Sequence, residues 1–200
     1  MEKTRIAILV SGGGTNLQAL IDAQHQGVIK HGAIDLVISD REGAYAITRA
    51  EQAGITALSL PKKGKDARDW ETDLLRVLAE HRIGLVVLAG FLTILSPRFI
   101  KAYENRIVNV HPSLLPAFGG KGFYGLKVHE AALARGVKLT GATVHLVNKE
   151  ADGGPILLQK AVKVKKSDTP QTLQQRVMEK AEWILLPKAV ELLCKRKGNK

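Results

Sequence analysis

The sequence has little of what several protein classes require. It contains one cysteine, Cys194, in 200 residues, so no disulfide can form within the chain and a reducing compartment is indicated. No apolar run reaches the roughly 18 residues that a membrane-spanning helix requires. The apolar run before the first glycines is only five residues long, Ile6–Val10, which is shorter than the apolar part of a secretory signal. We therefore expect a cytoplasmic protein that has no membrane partner.

Aromatic residues make up only 4% of the chain, although the formal net charge is +11. A chain this basic suggests nucleic acid as a binding partner, but few aromatic side chains are available for bases to stack on. Four of the positive charges lie in the tail Lys195–Lys200, which we expect to be a solvated end. An anionic small substrate explains the excess charge equally well, and we expect no nucleic-acid partner.

Apolar residues at 45% and charged residues at 24% are ordinary values for a globular domain. Short apolar runs alternate with amphipathic stretches, which is typical of βαβ units on a parallel sheet. The predicted strands are Ile6–Val10, Leu36–Ser39, Thr56–Leu60, Leu85–Ala89 and Ile107–His111. The predicted helices between them are Asn16–Gln26, Ala44–Ala53 and Asp69–Glu80.

The pattern changes after His111. Residues 112–125 are rich in proline and glycine, which predicts a loop. A short helix, two antiparallel strands about the turn Asn148–Gly154, and a long helix interrupted at Pro187 are predicted to follow. Their predicted bounds are Leu126–Arg135, Thr140–Val147, Pro155–Lys165 and about Thr169 to Leu193. The fold class expected is α/β, an open Rossmann-like sheet that is mostly parallel and flanked by helices.

A glycine loop, Ser11-Gly12-Gly13-Gly14-Thr15-Asn16, joins the first predicted strand to the first helix. Unpaired N–H groups and the helix dipole favour an anion at such a position. The P-loop motif is excluded because no Gly-Lys-Ser/Thr follows, and the dinucleotide fingerprint because Leu17 replaces its third glycine. Asp40, after the second strand, is the candidate ribose ligand under that rejected reading. We predict a phosphate-sized anion here, with a tight turn that binds nothing as the alternative.

Asn109 and His111 lie at the end of a predicted central strand. Alternation along the strand places both side chains on one face, and ligands of open α/β sheets bind at the carboxyl ends of strands. An amide donor beside an imidazole suits acyl chemistry, because one stabilises an oxyanion while the other moves a proton. The alternative is a structural or solvated histidine.

A metal site is not expected. His129-Glu130 begins like the zinc motif His-Glu-x-x-His, but Leu133 occupies the position of its last ligand. The other histidines have no ligand spacing with Cys194, so we expect no metal cofactor.

Two longer motifs carry a resemblance to a known family. Residues 109–116 are Asn-Val-His-Pro-Ser-Leu-Leu-Pro, and residues 152–156 are Asp-Gly-Gly-Pro-Ile. With the glycine loop and Leu88-Ala89-Gly90-Phe91, and in this order, the chain resembles the folate-dependent formyltransferases over nearly its whole length. It is most similar to members that move a formyl group from 10-formyltetrahydrofolate, as co-substrate, to the amine of glycinamide ribonucleotide in purine synthesis.

The resemblance implies a catalytic trio of Asn109, His111 and Asp152. In the family, an asparagine and a histidine donate to the oxyanion that forms when the amine attacks the formyl carbon. The aspartate holds the histidine in its charged, oriented form and helps to relay the proton. Taken without the resemblance, Asp152-Gly153-Gly154 is an ordinary turn between two strands.

The resemblance also implies two binding regions. The ribonucleotide phosphate would contact Gly14, Thr15 and Asn16, and Glu182, five residues before Pro187, would contact the ribonucleotide. Thr93 stands where many members have arginine, so no charged contact to the folate is expected there. The loop Gly119–Gly122 is richer in glycine than the family pattern. The implied folate-binding residues are Arg68, Leu92, Thr93, Ile94, Leu95, Asn109, Asn148, Lys149, Glu150, Ala151 and Asp152.

Residues 1–200 are expected to form a single formyltransferase domain, either a monomer or a homodimer. The half up to about residue 111 would bind phosphate and ribonucleotide, and residues 112–200 would bind folate and catalyse. Its expected partners are the two small-molecule substrates, glycinamide ribonucleotide and the formylated folate.

Two other enzymes that use 10-formyltetrahydrofolate are the main rivals. Methionyl-tRNA formyltransferase suits the charge but normally has a further C-terminal domain, and here about 45 residues follow Pro155. Formyltetrahydrofolate hydrolase has an N-terminal regulatory domain, whereas the first predicted strand begins at Ile6. A basic nucleic-acid-binding module, in which the polar trio is incidental, is a third reading that the scarcity of aromatics disfavours.

Overall fold

A seven-stranded sheet forms the centre of the molecule. The computed structural model describes residues 2–197, and the strands follow the order β3-β2-β1-β4-β5-β6-β7. Neighbours from β3 to β5 pair in parallel, whereas β6 runs antiparallel to both β5 and β7. The predicted fold class is confirmed. The strands are β1 Thr4–Val10, β2 Gly32–Ser39, β3 Thr56–Ser59, β4 Leu85–Leu88, β5 Ile107–His111, β6 Leu139–Leu146 and β7 Ile156–Lys163.

Helices cover both faces of the sheet. Side chains of β1 alternate between two apolar cores, with Ile6 and Ile8 on one side and Ala7 and Leu9 on the other. The first core includes side chains of α1, α2, α6 and α7, and the second includes side chains of α3 and α4. The helices are α1 Thr15–His25, α2 Tyr45–Gln52, α3 Ala67–Glu80, α4 Pro97–Ala102, α5 Leu126–Arg135, α6 Pro170–Val177 and α7 Trp183–Lys197.

Two features differ from the sequence prediction. Helix α4 was not predicted, because six residues are too few to show a helical period, although Ser96 caps it and Pro97 occupies its first turn. The predicted interruption at Pro187 is wrong, since α7 continues through this residue. The irregularity lies upstream instead, in a wider π-helical turn, Met178–Glu182, between α6 and α7. The missing N–H of Pro187 affects the carbonyl of Trp183, four residues earlier, so the π-helical turn lies before the segment that the proline perturbs.

The fold brings three loops to one edge of the sheet. Strands β1, β4 and β5 are adjacent and parallel, so their carboxyl ends meet there. The glycine loop follows β1, the segment 89–96 follows β4, and the loop 112–125 follows β5. This edge is therefore where a substrate site is expected.

No helix among the described residues is long and apolar enough to cross a membrane. The prediction of a solvated basic tail concerns mainly Arg196–Lys200, whose side chains lie outside the described residues.

Candidate active site

Asn109, His111 and Asp152 come together beyond the end of β5. The Nδ1 atom of His111 lies 3.4 Å from Oδ2 of Asp152, and both side chains are largely buried. Asn109 and His111 project from one face of β5, as the alternation predicts, while Asp152 comes from the turn between β6 and β7. The site therefore holds an amide, an imidazole and a carboxylate within one cluster.

The β6–β7 turn fixes the position of Asp152. The backbone N–H of Glu150 donates to Asn148 Oδ1 at 2.9 Å, and that of Gly153 donates to the Glu150 carbonyl at 3.1 Å. Asp152 itself adopts φ +55°, a left-handed conformation that aspartate tolerates better than most residues. Its Oδ2 accepts a hydrogen bond from the backbone N–H of Gly120 at 2.8 Å, which ties the turn to the loop 112–125.

A fourth polar residue, His145, belongs to this cluster and was not predicted. It lies directly opposite Asn109 in the antiparallel pairing of β5 with β6. Its Nδ1 lies 2.9 Å from the Leu146 carbonyl, which can only accept, so Nδ1 carries a proton. Its Nε2 lies 3.2 Å from Asn109 Nδ2 and 3.5 Å from Asp152 Oδ1. Nε2 can accept from the Asn109 amide or, when it carries a proton, donate to the Asp152 carboxylate, so His145 contacts both groups but bonds one of them at a time.

The loop 112–125 closes over His111. The Nε2 atom of His111 lies 2.8 Å from the carbonyl oxygen of Phe118, so this nitrogen is a donor. With Asp152 at the other ring nitrogen, both sides of the imidazole face acceptors. That environment accommodates the doubly protonated ring, which general acid catalysis requires.

The charge states in the cluster follow from burial and from its neighbours. Burial lowers the pKa of His111 below its usual value, and Asp152 and the Phe118 carbonyl offset part of that shift. Burial alone would raise the pKa of Asp152, but hydrogen bonds from His145 and Gly120, with nearby His111, hold it below its usual value. Asp152 is therefore an anion at neutral pH, facing a histidine that can gain or lose a proton.

His129 lies close enough to His111 to feel its charge. It is fully buried, and neither ring nitrogen has a hydrogen-bond partner among the described residues. Burial, with the charge of His111, lowers the pKa of His129 to about 4, so this ring is neutral at pH 7.

In the described part of the chain, no group of three His, Cys, Asp or Glu side chains is arranged to hold a metal ion.

The glycine loop is shaped for the start of α1. Gly14 is the N-cap residue at φ +73°, and a Cβ atom there would lie 2.7 Å from Cβ of Ala46. Only glycine suits both constraints. Thr15 and Asn16 begin the helix, so the predicted phosphate contacts all lie at the N-terminus of α1, where its dipole is positive.

Asn16 and Glu182, predicted separately as ribonucleotide contacts, are hydrogen-bonded to each other. Nδ2 of Asn16 donates to Oε2 of Glu182 at 2.8 Å, and both residues are buried. Burial raises the pKa of Glu182 to about 7, although the Asn16 bond lowers it in part. Oδ1 of Asn16 has no hydrogen-bond partner among the described residues. The π-helical turn, which ends at Glu182, thus brings a titratable carboxyl group to the first turn of α1.

The segment Leu92–Leu95 is held against the sheet edge at its first two residues. The backbone N–H of Leu92 donates to Ser11 Oγ at 2.9 Å, and the Thr93 hydroxyl donates to Asp40 Oδ2 at 2.7 Å. The side chains of Leu92 and Ile94 are exposed, whereas Leu95 is buried. Asp40, the candidate ribose ligand of the rejected dinucleotide reading, therefore holds this segment.

A groove of about 700 Å³ lies between the turn 148–152 and helix α4. Asn148, Lys149 and Glu150 line this groove, whereas Leu92–Leu95 lie outside it. Ala151 follows in the same turn and is exposed. Arg68 lies in the first turn of α3, with its N–H on Asp66, and is exposed and outside the groove. Of the predicted folate contacts, this groove therefore includes Asn148, Lys149 and Glu150.

Comparison with known proteins identifies the family. The family model described as formyl transferase matches residues 4–190. The chain is 36% identical, over 98% of its length, to the chloroplastic phosphoribosylglycinamide formyltransferase of Arabidopsis thaliana, and covers 67% of that protein. It is 40% identical, over 86% of its length, to phosphoribosylglycinamide formyltransferase of Escherichia coli K12, and covers 79% of that protein.

A solved structure agrees with these sequence relatives. Glycinamide ribonucleotide transformylase 1 from Symbiobacterium toebii superposes with a TM-score of 0.90 at 40% identity. The match covers 97% of this chain and 89% of that one. The chain belongs to the formyl transferase family.

Proposed function

We infer that the protein transfers the formyl group of 10-formyltetrahydrofolate to the amine of glycinamide ribonucleotide, giving formylglycinamide ribonucleotide and tetrahydrofolate in purine synthesis. The observation that carries this inference is the cluster of Asn109, His111 and Asp152, which combines an oxyanion donor with a paired acid and base. Family membership and the names of its relatives support the same reaction.

Attack of the amine on the formyl carbon forms a C–N bond and a tetrahedral oxyanion. We assign donation to this oxyanion to the Asn109 amide and to the His111 ring, whose Nε2–H would exchange the Phe118 carbonyl for the oxyanion. One such donor is typically worth about 10²–10³ in rate. The proton lost by the attacking nitrogen passes to N10 of the folate. The bond between the formyl carbon and N10 then breaks, releasing tetrahydrofolate.

Asp152 stabilises the charge that develops on His111 while this proton moves. Its carboxylate faces Nδ1, and the Phe118 carbonyl accepts from Nε2, so the ring cannot rotate without losing a partner. General acid–base help of this kind contributes about 10²–10⁴ in rate. His145 orients the Asn109 amide from the opposite strand.

The two substrates are assigned to two halves of one domain, about residues 1–111 and 112–200. Gly14, Thr15 and Asn16 receive the ribonucleotide phosphate, and Glu182 reaches the ribonucleotide from the far half. The folate is assigned to the segment Leu92–Leu95, to Asn109, to the turn Asn148–Asp152 and to Arg68, so that part of its site comes from the first half. A monomer or homodimer, a cytoplasmic location and the absence of a nucleic-acid partner stay predictions.

A folate-release assay with each substrate omitted in turn tests the proposed function. Purified protein should release folate product only when 10-formyltetrahydrofolate and glycinamide ribonucleotide are both present. Product formed without the ribonucleotide would assign the protein to the hydrolases instead. If neither condition gives product, formyl transfer to methionyl-tRNA is the next activity to measure.

A further inference from the structure

We infer that Arg49, on helix α2, is a positioning residue that sets the orientation of the glycine loop toward the substrate phosphate. This inference rests on the proposed function, which assigns the phosphate of glycinamide ribonucleotide to the glycine loop. Arg49 is absent from the motifs that resemble the family and reads in the sequence as an ordinary solvated helix charge. Its contacts distinguish it from one.

Helix α2 holds two successive carbonyl groups of the glycine loop. Nε of Arg49 donates to the Gly13 carbonyl at 2.8 Å, and the backbone N–H of Ala46 donates to the Gly12 carbonyl at 3.1 Å. The guanidinium is itself fixed, because its Nη1 donates to Gln18 Oε1 at 3.0 Å and its central carbon lies 4.9 Å from the ring centre of Tyr45.

These two bonds determine where the N–H groups of the loop point. In a trans peptide, the carbonyl and the N–H of the next residue point in opposite directions. When α2 holds the carbonyls of Gly12 and Gly13, the N–H groups of Gly13 and Gly14 must face away from α2. Successive N–H groups that converge in this way form an anion-binding concavity, and here they adjoin the positive end of α1.

The space around the three glycines agrees with this arrangement. A Cβ atom at Gly14 would lie 2.7 Å from Ala46, so the loop is in close contact with α2 on that side. A Cβ atom at Gly12 or Gly13 would have no neighbour within 4 Å among the described residues, so the loop is open on its outer side. The loop is thus supported on one side and accessible to a ligand on the other.

Arginine is suited to this position in a way that lysine is not. Its planar guanidinium donates to Gly13 and Gln18 at once from separate nitrogens, whereas an ammonium group is a single compact donor. Lysine in place of Arg49 keeps the positive charge near the phosphate but loses this paired geometry. Methionine loses both the charge and the hydrogen bonds while keeping most of the apolar stem.

Steady-state kinetics of the variants Arg49→Lys and Arg49→Met test the inference. A hydrogen bond to a charged group is worth about 1.5–3 kcal/mol, so we expect KM for glycinamide ribonucleotide to rise roughly tenfold or more in Arg49→Met. Turnover at saturation and KM for the folate should stay within about twofold of the parent. For Arg49→Lys, KM for glycinamide ribonucleotide should lie between the values of the parent and of Arg49→Met. Arg76→Met, which removes an exposed arginine of α3, is the matched control and should leave all constants unchanged.

A substrate that lacks the phosphate separates positioning from general damage. With glycinamide riboside as acceptor, the parent and Arg49→Met should have equal kcat/KM, because the lost interaction is absent from both. Equal loss on both acceptors would overturn the inference, since Arg49 would then act on the fold as a whole.

Binding of inorganic phosphate, followed by the NMR shifts of the Gly13 and Gly14 amides, tests Arg49 without any turnover. Phosphate should move both amide signals in the parent and bind roughly tenfold more weakly to Arg49→Met. Equal binding by both proteins would overturn the role of Arg49 even if formyl transfer is observed. Phosphate binding without formyl transfer would support Arg49 and count against the proposed acceptor, so the two failures are distinguishable.

Discussion

The glycine loop and the catalytic loop at the same sheet edge are held in place by different parts of the molecule. The carbonyls of Gly12 and Gly13 are bonded by helix α2, which lies behind the loop. In the loop 112–125, the Phe118 carbonyl is bonded by His111, and the Gly120 N–H by Asp152.

This difference separates binding from chemistry. The supports of the glycine loop lie away from its ligand-facing side, so this loop is formed before a substrate arrives. The supports of the catalytic loop include the side chains assigned to proton transfer. A change in the catalytic cluster therefore alters the loop as well, whereas a change behind the glycine loop should affect binding alone.

The largest expected effect comes from changing Asp152, which both places a charge beside His111 and accepts a hydrogen bond from Gly120. Asp152→Asn keeps an oxygen that accepts from Gly120 but removes the charge beside His111, so turnover should fall by about 10² or more with the loop still in place. His111→Ala should lose a comparable factor, because it removes both an oxyanion donor and the proton carrier. Steady-state kcat of the purified variants, with circular dichroism to check folding, measures these losses.

Asp152→Ala is the informative partner variant, since it removes the hydrogen bond to Gly120 together with the charge. Its amide exchange around residues 118–122 should be faster than in Asp152→Asn. If all three variants kept near-normal turnover, the assigned trio would be wrong. If the two Asp152 variants had equal loop protection, the coupling between catalysis and loop would be wrong.

The next effect concerns Glu182, whose carboxyl group accepts a hydrogen bond from Asn16 in the first turn of α1. Its folded pKa is about 7 against an ordinary value of 4.5. The unfolded chain thus releases this proton at lower pH than the folded protein, so stability falls as pH rises through this interval. The side chain is buried, and the loss amounts to about 3 kcal/mol between pH 4.5 and 7.

Glu182→Gln should remove this pH dependence while keeping an oxygen for Asn16. Urea unfolding at a series of pH values would give the difference in unfolding free energy between parent and variant. That difference should grow in favour of the variant from pH 4.5 to about 7 and then stay level. Parallel curves would mean that Glu182 titrates normally in the folded protein.

A smaller effect is expected from the backbone of the glycine loop. Gly14→Ala forces a Cβ atom onto Ala46 and places alanine at φ +73°, which together should cost about 2 kcal/mol of unfolding free energy. Gly12→Ala, whose Cβ would meet nothing within 4 Å among the described residues, should change stability by less than about 0.5 kcal/mol. Chemical denaturation of both variants compares them directly, and equal stabilities would contradict the close support by α2.

The sequence predicted most of the elements because their signals are local. Alternation and β-branched runs located the strands, and it is the same alternation that placed Asn109 and His111 on one face. Helix α4 was not predicted because six residues are too few to show a helical period of apolar residues. The prediction at Pro187 was wrong because a proline inside a helix does not always interrupt it, and α7 continues through this residue. The π-helical turn upstream has no sequence signal that we recognised.

The site residues that were missed depend on pairings that distance along the chain conceals. His145 enters the cluster through the antiparallel register of β5 with β6, which pairs it with Asn109 across 36 residues. The predicted antiparallel pair was β6 with β7, so the neighbour of β5 was unknown. Arg49 was missed because a helical arginine is usually solvated, and only the fold places it behind Gly13.

The smallest expected effect tests whether the segment Leu92–Leu95, like the glycine loop, is supported by a residue that lies away from the ligand-facing side. The Thr93 hydroxyl donates to buried Asp40, whose other carboxylate oxygen has no hydrogen-bond partner among the described residues. Thr93→Val keeps the shape and removes the donor, which should cost about 1 kcal/mol and raise KM for the folate a few-fold. KM for glycinamide ribonucleotide should not change, because the glycine loop is supported by α2 instead. A rise in both constants would mean that the two loops share one support, and the comparison between them would fail.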